Sequence, residues 1–389
     1  MLYQRSVPHS VASPTHWANR ETEPSKQEGS TMRRRVATLA ATTFLLALLV
    51  PVASVAAAST IYVHPGQSVQ AALNRAPAGS LISVERGTYR ANLEIKRSVR
   101  LLGHDAILVP AAKPTKNVCL TPGFFNGVVG ICVHGTVNPD GSLAKAISNV
   151  SIEGITVRNF GGPGIVAIGV AGFRAARVVT AHNGEMGMFI NTVSNISLLD
   201  NTSYGNGADG LYVEASSANA VITGNSLYDN LGAGINFLNS LGGRITSNDL
   251  HGNCAGIVVA SAAVPVVAPS GDVSVQLNQV TANNRLCPAV PNQTPAYGGI
   301  GIILIGARNT VVALNDVRGN LAQTGSGITG GGIVLLDGKM FGAGTPSGNS
   351  IRLNWLSGNT PNDIFGDGTG TLNTISGNTC TITNLTGAC

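Results

Sequence analysis

In the second half of the chain, apolar residues come in short runs that each enter through a glycine. The runs are Gly187-Met-Phe-Ile, Gly210-Leu-Tyr-Val, Gly234-Ile-Asn-Phe, Gly256-Ile-Val-Val, Gly301-Ile-Ile-Leu and Gly332-Ile-Val-Leu. Runs this short, rich in β-branched residues and bounded by Gly and Asn, predict strands. Between them asparagine recurs in pairs five apart: Asn201/Asn206, Asn225/Asn230, Asn248/Asn253, Asn278/Asn283, Asn315/Asn320, Asn354/Asn359 and Asn373/Asn378. The first members step by 24, 23, 30, 37, 39 and 19 residues. An apolar residue lies between the two Asn in every pair but the first, which has Ser203. A weaker copy runs from Asn149 to Gly169.

A unit of about 23 residues is too short for a βαβ crossover, which takes about 30. It suits one coil of a solenoid in which strands pair with the next coil at about 4.8 Å. Each column then meets itself in every coil. Asn is expected at the corners, where it tolerates left-handed backbone and its amide bonds to the Asn above and below. The longer coils keep the columns and extend a loop outward. A β-propeller would instead need evenly spaced blades of about 40 residues or more. Upstream, residues 61–66 read as a strand and turn. Ser68 then reads as the N-cap of a helix over 68–76, ended by Pro77-Ala-Gly79, and a further strand begins at Leu81. Such a helix would cover the open end of a solenoid core.

Composition agrees: 49 Gly, 11% charged residues and 5% aromatics, with 43% hydrophobic residues, which excludes disorder. Residues 1–31 are polar and irregular, and read as a leader or a misassigned start. Met32-Arg33-Arg34-Arg35, an apolar stretch over 36–50 and Ala56-Ala57-Ala58 read as a secretory signal peptide over 32–58. A transmembrane anchor fits less well, because the run breaks at Pro51 and is short for a bilayer. The expected location is extracellular or periplasmic, with no membrane association after cleavage. Six of 24 basic and three of 19 acidic residues precede Ser59, leaving 18 and 16, a net of +2. No basic run survives, so nucleic acid is not an expected partner. The six cysteines (Cys119, Cys132, Cys254, Cys287, Cys380 and Cys389) all lie in the exported part, where disulfides are the default. Fifteen connectivities are open, and neighbour pairing, 119–132, 254–287 and 380–389, would staple loops or the chain end.

The opening of the exported part resembles a known family. Over 61–102 the segments P-G-x-S-V-Q-A-A-L, P-A-G-S-L-I-S-V, G-T-Y and L-L-G are similar to the start of the pectin-lyase-like right-handed β-helix proteins. These include polysaccharide lyases, alginate-type epimerases and NosD-like periplasmic proteins. The chain departs at Arg86-Gly87-Thr88-Tyr89, where members usually carry Pro before the Gly. The expectation is therefore all-β: a single-stranded right-handed parallel β-helix over 59–389, with a cap at about 61–84 and regular coils at about 147–378. The resemblance implies the fold and says little about the reaction, because the fold hosts many functions.

Strand alternation separates inward from outward residues. The outward columns are Phe189, Tyr212, Asn236, Val258, Ile303, Val334 and Asn191, Glu214, Leu238, Ala260, Ile305, Leu336. The early coils present rings, amides and a carboxylate, a set suited to a sugar chain. Rings at Phe189 and Tyr212 would stack on sugar faces and the amides of Asn191 and Asn236 would bond hydroxyls. Glu214 would act as base or bind a cation. Glu185 and Asp209 fall in the turns just before these strands, with Asp209 as a second catalytic candidate, and Arg177 could pair with a uronate. The later coils are aliphatic on both faces, so their outward ladder should be covered by the inserts at 261–271, 286–298, 321–331 and 339–348, or else form a subunit interface. A further outward column stacks Tyr204, Tyr228 and His251. The remaining histidines show no ligand spacing, so no copper or zinc site is expected, and Ca²⁺ is the one cofactor the reading leaves open. There is no adjacent Asp pair, no D-P-H-D and no G-H-G or R-I-K. The favoured reading is a secreted protein that binds or modifies an acidic polysaccharide by lyase or epimerase chemistry. The alternative is a non-catalytic surface or adhesion scaffold, and a homo-oligomer is left open.

Overall fold

A computed structural model describes residues 58–120, 125–138, 143–262, 270–290 and 294–389. The expected leader and all but the last residue of the signal peptide lie outside these residues, as does 263–269 of the first insert. Among the described residues no helix is long and apolar enough to cross a membrane.

The chain winds into parallel coils, and each coil contributes strands to three long faces. One face is a ten-stranded sheet. It starts at Leu93–Ile95 and Ile131–His134 and passes through Ile165–Ile168, Met188–Asn191, Leu211–Glu214, Ala233–Leu238 and Ala255–Ala260. It then continues through Ile300–Ile305 and Gly331–Leu336 to Ile364–Gly366. We call it the front sheet. The other two faces share a 20-stranded sheet, because the long strands Val99–Val109 and Ile147–Arg158 run across both. The back face carries Val170–Ala176, Ser194–Leu199 and their successors, and the side face carries Val179–Ala181, Thr202–Tyr204, Ser226–Tyr228 and theirs. The pairings between coils are all parallel. Two small antiparallel hairpins lie outside the coils.

The glycine that opens each front strand has a steric cause. A Cβ at Gly187 would lie 2.6 Å from the Gly210 carbonyl oxygen, one at Gly256 2.7 Å from that of Gly301, and one at Gly301 2.4 Å from that of Gly332. Neighbouring coils approach too closely there for any side chain. The expected capping helix is also present: Val69–Arg75, with Ser68 Oγ accepting from Ala71 N at 3.1 Å and Val69, Ala72 and Leu73 buried over the first coil.

The asparagine columns are interior ladders. Asn201, Asn225, Asn248, Asn278, Asn315, Asn354 and Asn378 form one ladder, all but Asn378 (5% exposed) at most 2% exposed, and Asn206 through Asn359 form the second. Within each ladder Nδ2 donates to the Oδ1 of the next Asn and to a main-chain carbonyl, and Oδ1 also accepts the preceding ladder N–H; at the ends Asn359 donates to Asp363 Oδ1 and Asn378 to the Ala388 carbonyl. Two expectations change. The ladder Asn are not themselves left-handed; the residue before each one is, from Asp200 (φ 53°) and Gly224 (φ 69°) to Leu353 (φ 55°) and Gly358 (φ 65°). That residue makes the corner and turns the following Asn inward. The last pair is also out of phase. Asn378 stacks under Asn354 and continues the first ladder, whereas Asn373 stacks under Asn349 in a third. Five residues is the corner-to-corner length of the back strand as well as the side strand in these coils, so spacing alone could not distinguish them.

Candidate functional site

Strand register places the outward front columns as the alternation required. Val166, Phe189, Tyr212, Asn236, Val258, Ile303, Val334 and Phe365 are successive partners, as are Ile168, Asn191, Glu214, Leu238, Ala260, Ile305 and Leu336. The alternate residues, Met188, Ile190, Leu211, Val213, Ile235 and Phe237, fill the interior.

Both ends of the front sheet are covered. At the far end Ile303, Val334, Ala260 and Ile305 are buried in a second apolar cluster outside the coils. Tyr297 from the 286–298 insert, Ile328 from 321–331 and Phe341 from 339–348 pack into it. The Cys254–Cys287 disulfide fixes the 286–298 insert, whose strands Leu286–Cys287 and Tyr297–Gly298 pair antiparallel. At the near end Cys119, bonded to Cys132, packs with Val129 and Val166, and Phe125 and Phe189 border them. With Cys380–Cys389 at the chain end, all three pairings are between neighbours. What remains between the two covers is a stretch of about three coils, holding Glu185, Phe189, Asn191, Asp209, Tyr212, Glu214 and Asn236.

Asp209 is the electrostatic centre of this stretch. It is 7% exposed, Oδ1 accepts from Ala233 N at 2.5 Å, and Asn236 Nδ2 reaches Oδ2 at 3.5 Å. Burial outweighs these two donors and raises its pKa from 3.8 to about 6. Burial raises the Tyr212 hydroxyl well above its ordinary value, and Glu214, Asp209 and Tyr297 add to the shift. Tyr297 is raised by burial and by Asp209. Both phenols therefore stay protonated and can only donate to, or accept from, a ligand as neutral hydroxyls. Glu185 is also buried and raised by burial, against the Asn126 N–H that meets Oε1 at 2.6 Å. Among the described residues no group bonds its Oε2, and none bonds Asn236 Oδ1. Asn191 Nδ2 donates to Glu214 Oε2 at 3.2 Å, which orients that carboxylate on the outward column.

The raised Asp209 sets the sign of a pH effect. A carboxyl whose folded pKa lies above its unfolded one contributes stability that is fully present below about 3.8. That contribution is lost as pH rises through about 6. Asparagine keeps the neutral state and the acceptor for Ala233. Asp209→Asn is expected to unfold with an extra ~2–3 kcal/mol near pH 8 and no gain near pH 4. Urea unfolding at the two pH values measures this, and an equal effect at both would remove the assignment.

The geometry changes two expectations and keeps a third. Phe189 and Tyr212 stack on each other, centroids 5.3 Å apart at 11°, with Phe125 set edge-on to Phe189 at 5.3 Å. Their ring faces are engaged within the column, so they wall the site instead of serving as stacking platforms for sugar rings. Arg177 lies at the corner between the back and side faces, away from the front sheet, with Nη2 3.1 Å from Glu153 Oε2. Tyr204, Tyr228 and His251 stack at 4.9 and 5.1 Å on the side face, presenting ring edges outward. Sequence reading missed Tyr297 and Phe125, both on loops whose return to the front sheet depends on disulfides. The Cys287 partner choice was the one signal that pointed toward Tyr297. A cavity of about 290 Å³ lined by Ala322, Gln323, residues 326–330 and Pro361 contains no titratable side chain. Among the described residues no group of three His, Cys, Asp or Glu could hold a metal ion.

Comparison with known proteins bears on the fold. The family model described as the right handed beta helix region matches residues 130–290. No curated protein matches the sequence. Among solved structures, the A-module of the Azotobacter vinelandii mannuronan C-5 epimerase AlgE6 superposes with a TM-score of 0.55 at 17% identity, covering 82% of this chain and 91% of that one. The AlgE4 A-module of the same organism gives 0.52 at 19% identity, covering 82% and 93%. The parallel coils, the interior asparagine ladders, the family model and these two comparisons lead to one conclusion: the chain folds as a right-handed parallel β-helix.

Proposed function

We propose that this is a secreted protein that binds and modifies an acidic polysaccharide on the front sheet, between the two loop-covered ends. The observation that carries the reading is Asp209, a buried carboxyl raised to about 6 beside the Tyr212 and Tyr297 hydroxyls. A protonated carboxyl and two neutral phenols form a donor set that can bond to and neutralise a uronate carboxylate, the first requirement for drawing a proton from the adjacent carbon. Glu214 is assigned as the group that takes that proton. Reprotonation of that carbon from the opposite face by water would give epimerisation, and departure of the 4-linked oxygen, protonated by water as the C4–C5 double bond forms, would give elimination. The structural likeness to two mannuronan C-5 epimerases supports a polyuronate as substrate class. Three disulfides support an oxidising compartment.

The test is incubation of purified protein with polymannuronate and polygalacturonate, with and without Ca²⁺, across pH 4–8. New ultraviolet absorbance marks unsaturated ends and elimination; a changed uronate composition marks epimerisation. Turnover should fall as pH rises through about 6, where Asp209 ionises and repels the substrate carboxylate. Glu214→Gln should abolish it, and full activity in that variant would remove Glu214 from the mechanism. Binding without either product favours the scaffold reading.

A further inference from the structure

The three carboxylates of the front site are not balanced by any lysine or arginine in its two outward columns. An acidic polymer therefore gains little there from long-range attraction. The charge that could attract it lies elsewhere. Because the chain is a solenoid, position in sequence is position along the axis. Residues 59–177 carry 12 Lys and Arg against five Asp and Glu, whereas 178–389 carry six against 11.

On the back face part of this excess, Arg100 and Arg174, lines up with Arg244 from the second stretch. One outward column runs Arg100, Ser151, Arg174, Ser197, Val221, Arg244 and Ser274, each the register partner of the next. Arg100 and Arg244 are exposed and Arg174 is half-exposed. At strand spacings of about 4.8 Å, five steps make a row roughly 24 Å long, parallel to the helix axis. Arg177 stands at the adjoining corner. The facing acid is Glu153. Burial favours its neutral form, but the Ser151 hydroxyl and the field of Arg174, Arg177 and Arg100 outweigh burial and keep it ionised. Asp200 lies on the same corner column as Arg177. Glu153 thus engages Arg174 and Arg177, and among the described residues Arg100 and Arg244 have no carboxylate within 4 Å.

We propose that this arginine row is a docking site for a linear acidic polysaccharide, separate from the front site and on another face of the coil. The proposal rests on the reading that the substrate is a polyuronate. Guanidinium groups pair carboxylates in two-point geometry and stay charged at every relevant pH, and a row along the axis matches an extended polymer better than a compact anion. Docking on the back raises the local concentration of polymer around a front site whose two outward columns hold no cation of their own.

The experiment measures binding of polymannuronate to the purified protein by isothermal titration at several NaCl concentrations. Neutral dextran and duplex DNA serve as comparison polymers. The wild-type affinity should fall steeply with salt, and dextran should not bind. The triple variant Arg100→Gln, Arg174→Gln, Arg244→Gln should bind at least ~10-fold more weakly at low salt and with a flatter salt dependence. Its circular dichroism and melting should match wild type, and Asp209→Asn should retain the salt-dependent binding. Unchanged affinity in the triple variant overturns the row, as does DNA binding as tight as polymannuronate. The two readings fail separately: absence of any product with binding intact leaves the row standing without the front-site chemistry, whereas conversion with no arginine dependence does the reverse.

Discussion

Replacing Asn248 by alanine is expected to cost roughly 3–6 kcal/mol of stability, the largest effect of any single polar side chain in the coils. Asn248 is 2% exposed in the middle of a ladder of seven. Its Oδ1 accepts Asn225 N at 3.0 Å and Asn225 Nδ2 at 2.8 Å, while its Nδ2 donates to Ile222 O at 3.0 Å and Asn278 Oδ1 at 2.9 Å. Truncation strands groups on both sides in an interior that water does not reach, and each buried unsatisfied group costs about 1–3 kcal/mol. Asn248→Asp should be no better. It keeps the acceptors, loses both donors, and puts an ionisable carboxyl against Asn278 Oδ1. Asn74→Ala on the exposed face of the capping helix, where Gln70 Nε2 meets Asn74 Oδ1 at 2.8 Å, should stay within about 0.5 kcal/mol. Chemical unfolding followed by circular dichroism gives all three values. If Asn248→Ala costs as little as Asn74→Ala, the ladder does not hold the coils in register.

Removing the Cys254–Cys287 bond should have the second largest effect and a different signature. The bond closes 33 residues of sequence, which is worth about 3–4 kcal/mol on the chain-entropy account. It also pins the hairpin that brings Tyr297 over the outer apolar cluster of Ala233, Ala255, Ile300, Ile303 and Val334. Cys254→Ser with Cys287→Ser should therefore lower stability and expose aliphatic surface of the kind soluble monomers rarely show. Increased binding of a hydrophobic dye and concentration-dependent association in light scattering are the expected readouts. Tyr297 would also leave Asp209, so the carboxyl pKa should move down as its site opens to water. A double variant that stays monomeric and binds no dye would mean that the 321–331 and 339–348 loops cover the cluster without the hairpin.

The parts of this protein that could be read without coordinates are those governed by repetition. In a solenoid a residue's neighbours are its own column, so periodic Asn and Gly reported contacts directly, and strand alternation assigned the two outward columns of the front sheet correctly through six coils. The aliphatic pattern at Val258, Ile303 and Val334 announced that something must cover those strands. Neighbour pairing of the six cysteines followed the same local logic.

Phase was not legible where two segments of a coil have equal length, hence the misplacement of Asn373 beside Asn349. Handedness of the corner was not legible either: left-handed backbone is imposed by the turn on whatever residue precedes the Asn, including Leu277, Leu314 and Leu353. The site itself was half visible. Asp209, Tyr212, Glu214 and Asn236 belong to the repeating coils, so their shared place on the front sheet was legible, whereas Arg177 belongs to the repeat but to another face. Tyr297 and Phe125 come from irregular inserts, whose path back to the sheet no periodicity encodes.

The sequence by itself determined the coil, its register, its inward and outward faces and the need for a cover, because each of these follows from a side-chain pattern repeated at fixed spacing. The tertiary structure alone decided which inserts return to the front sheet, which rings stack on each other and how deeply Asp209 is buried. Those depend on where non-repeating segments come to rest, and burial, which raises the Asp209 pKa, belongs to the packed surroundings and not to the residue.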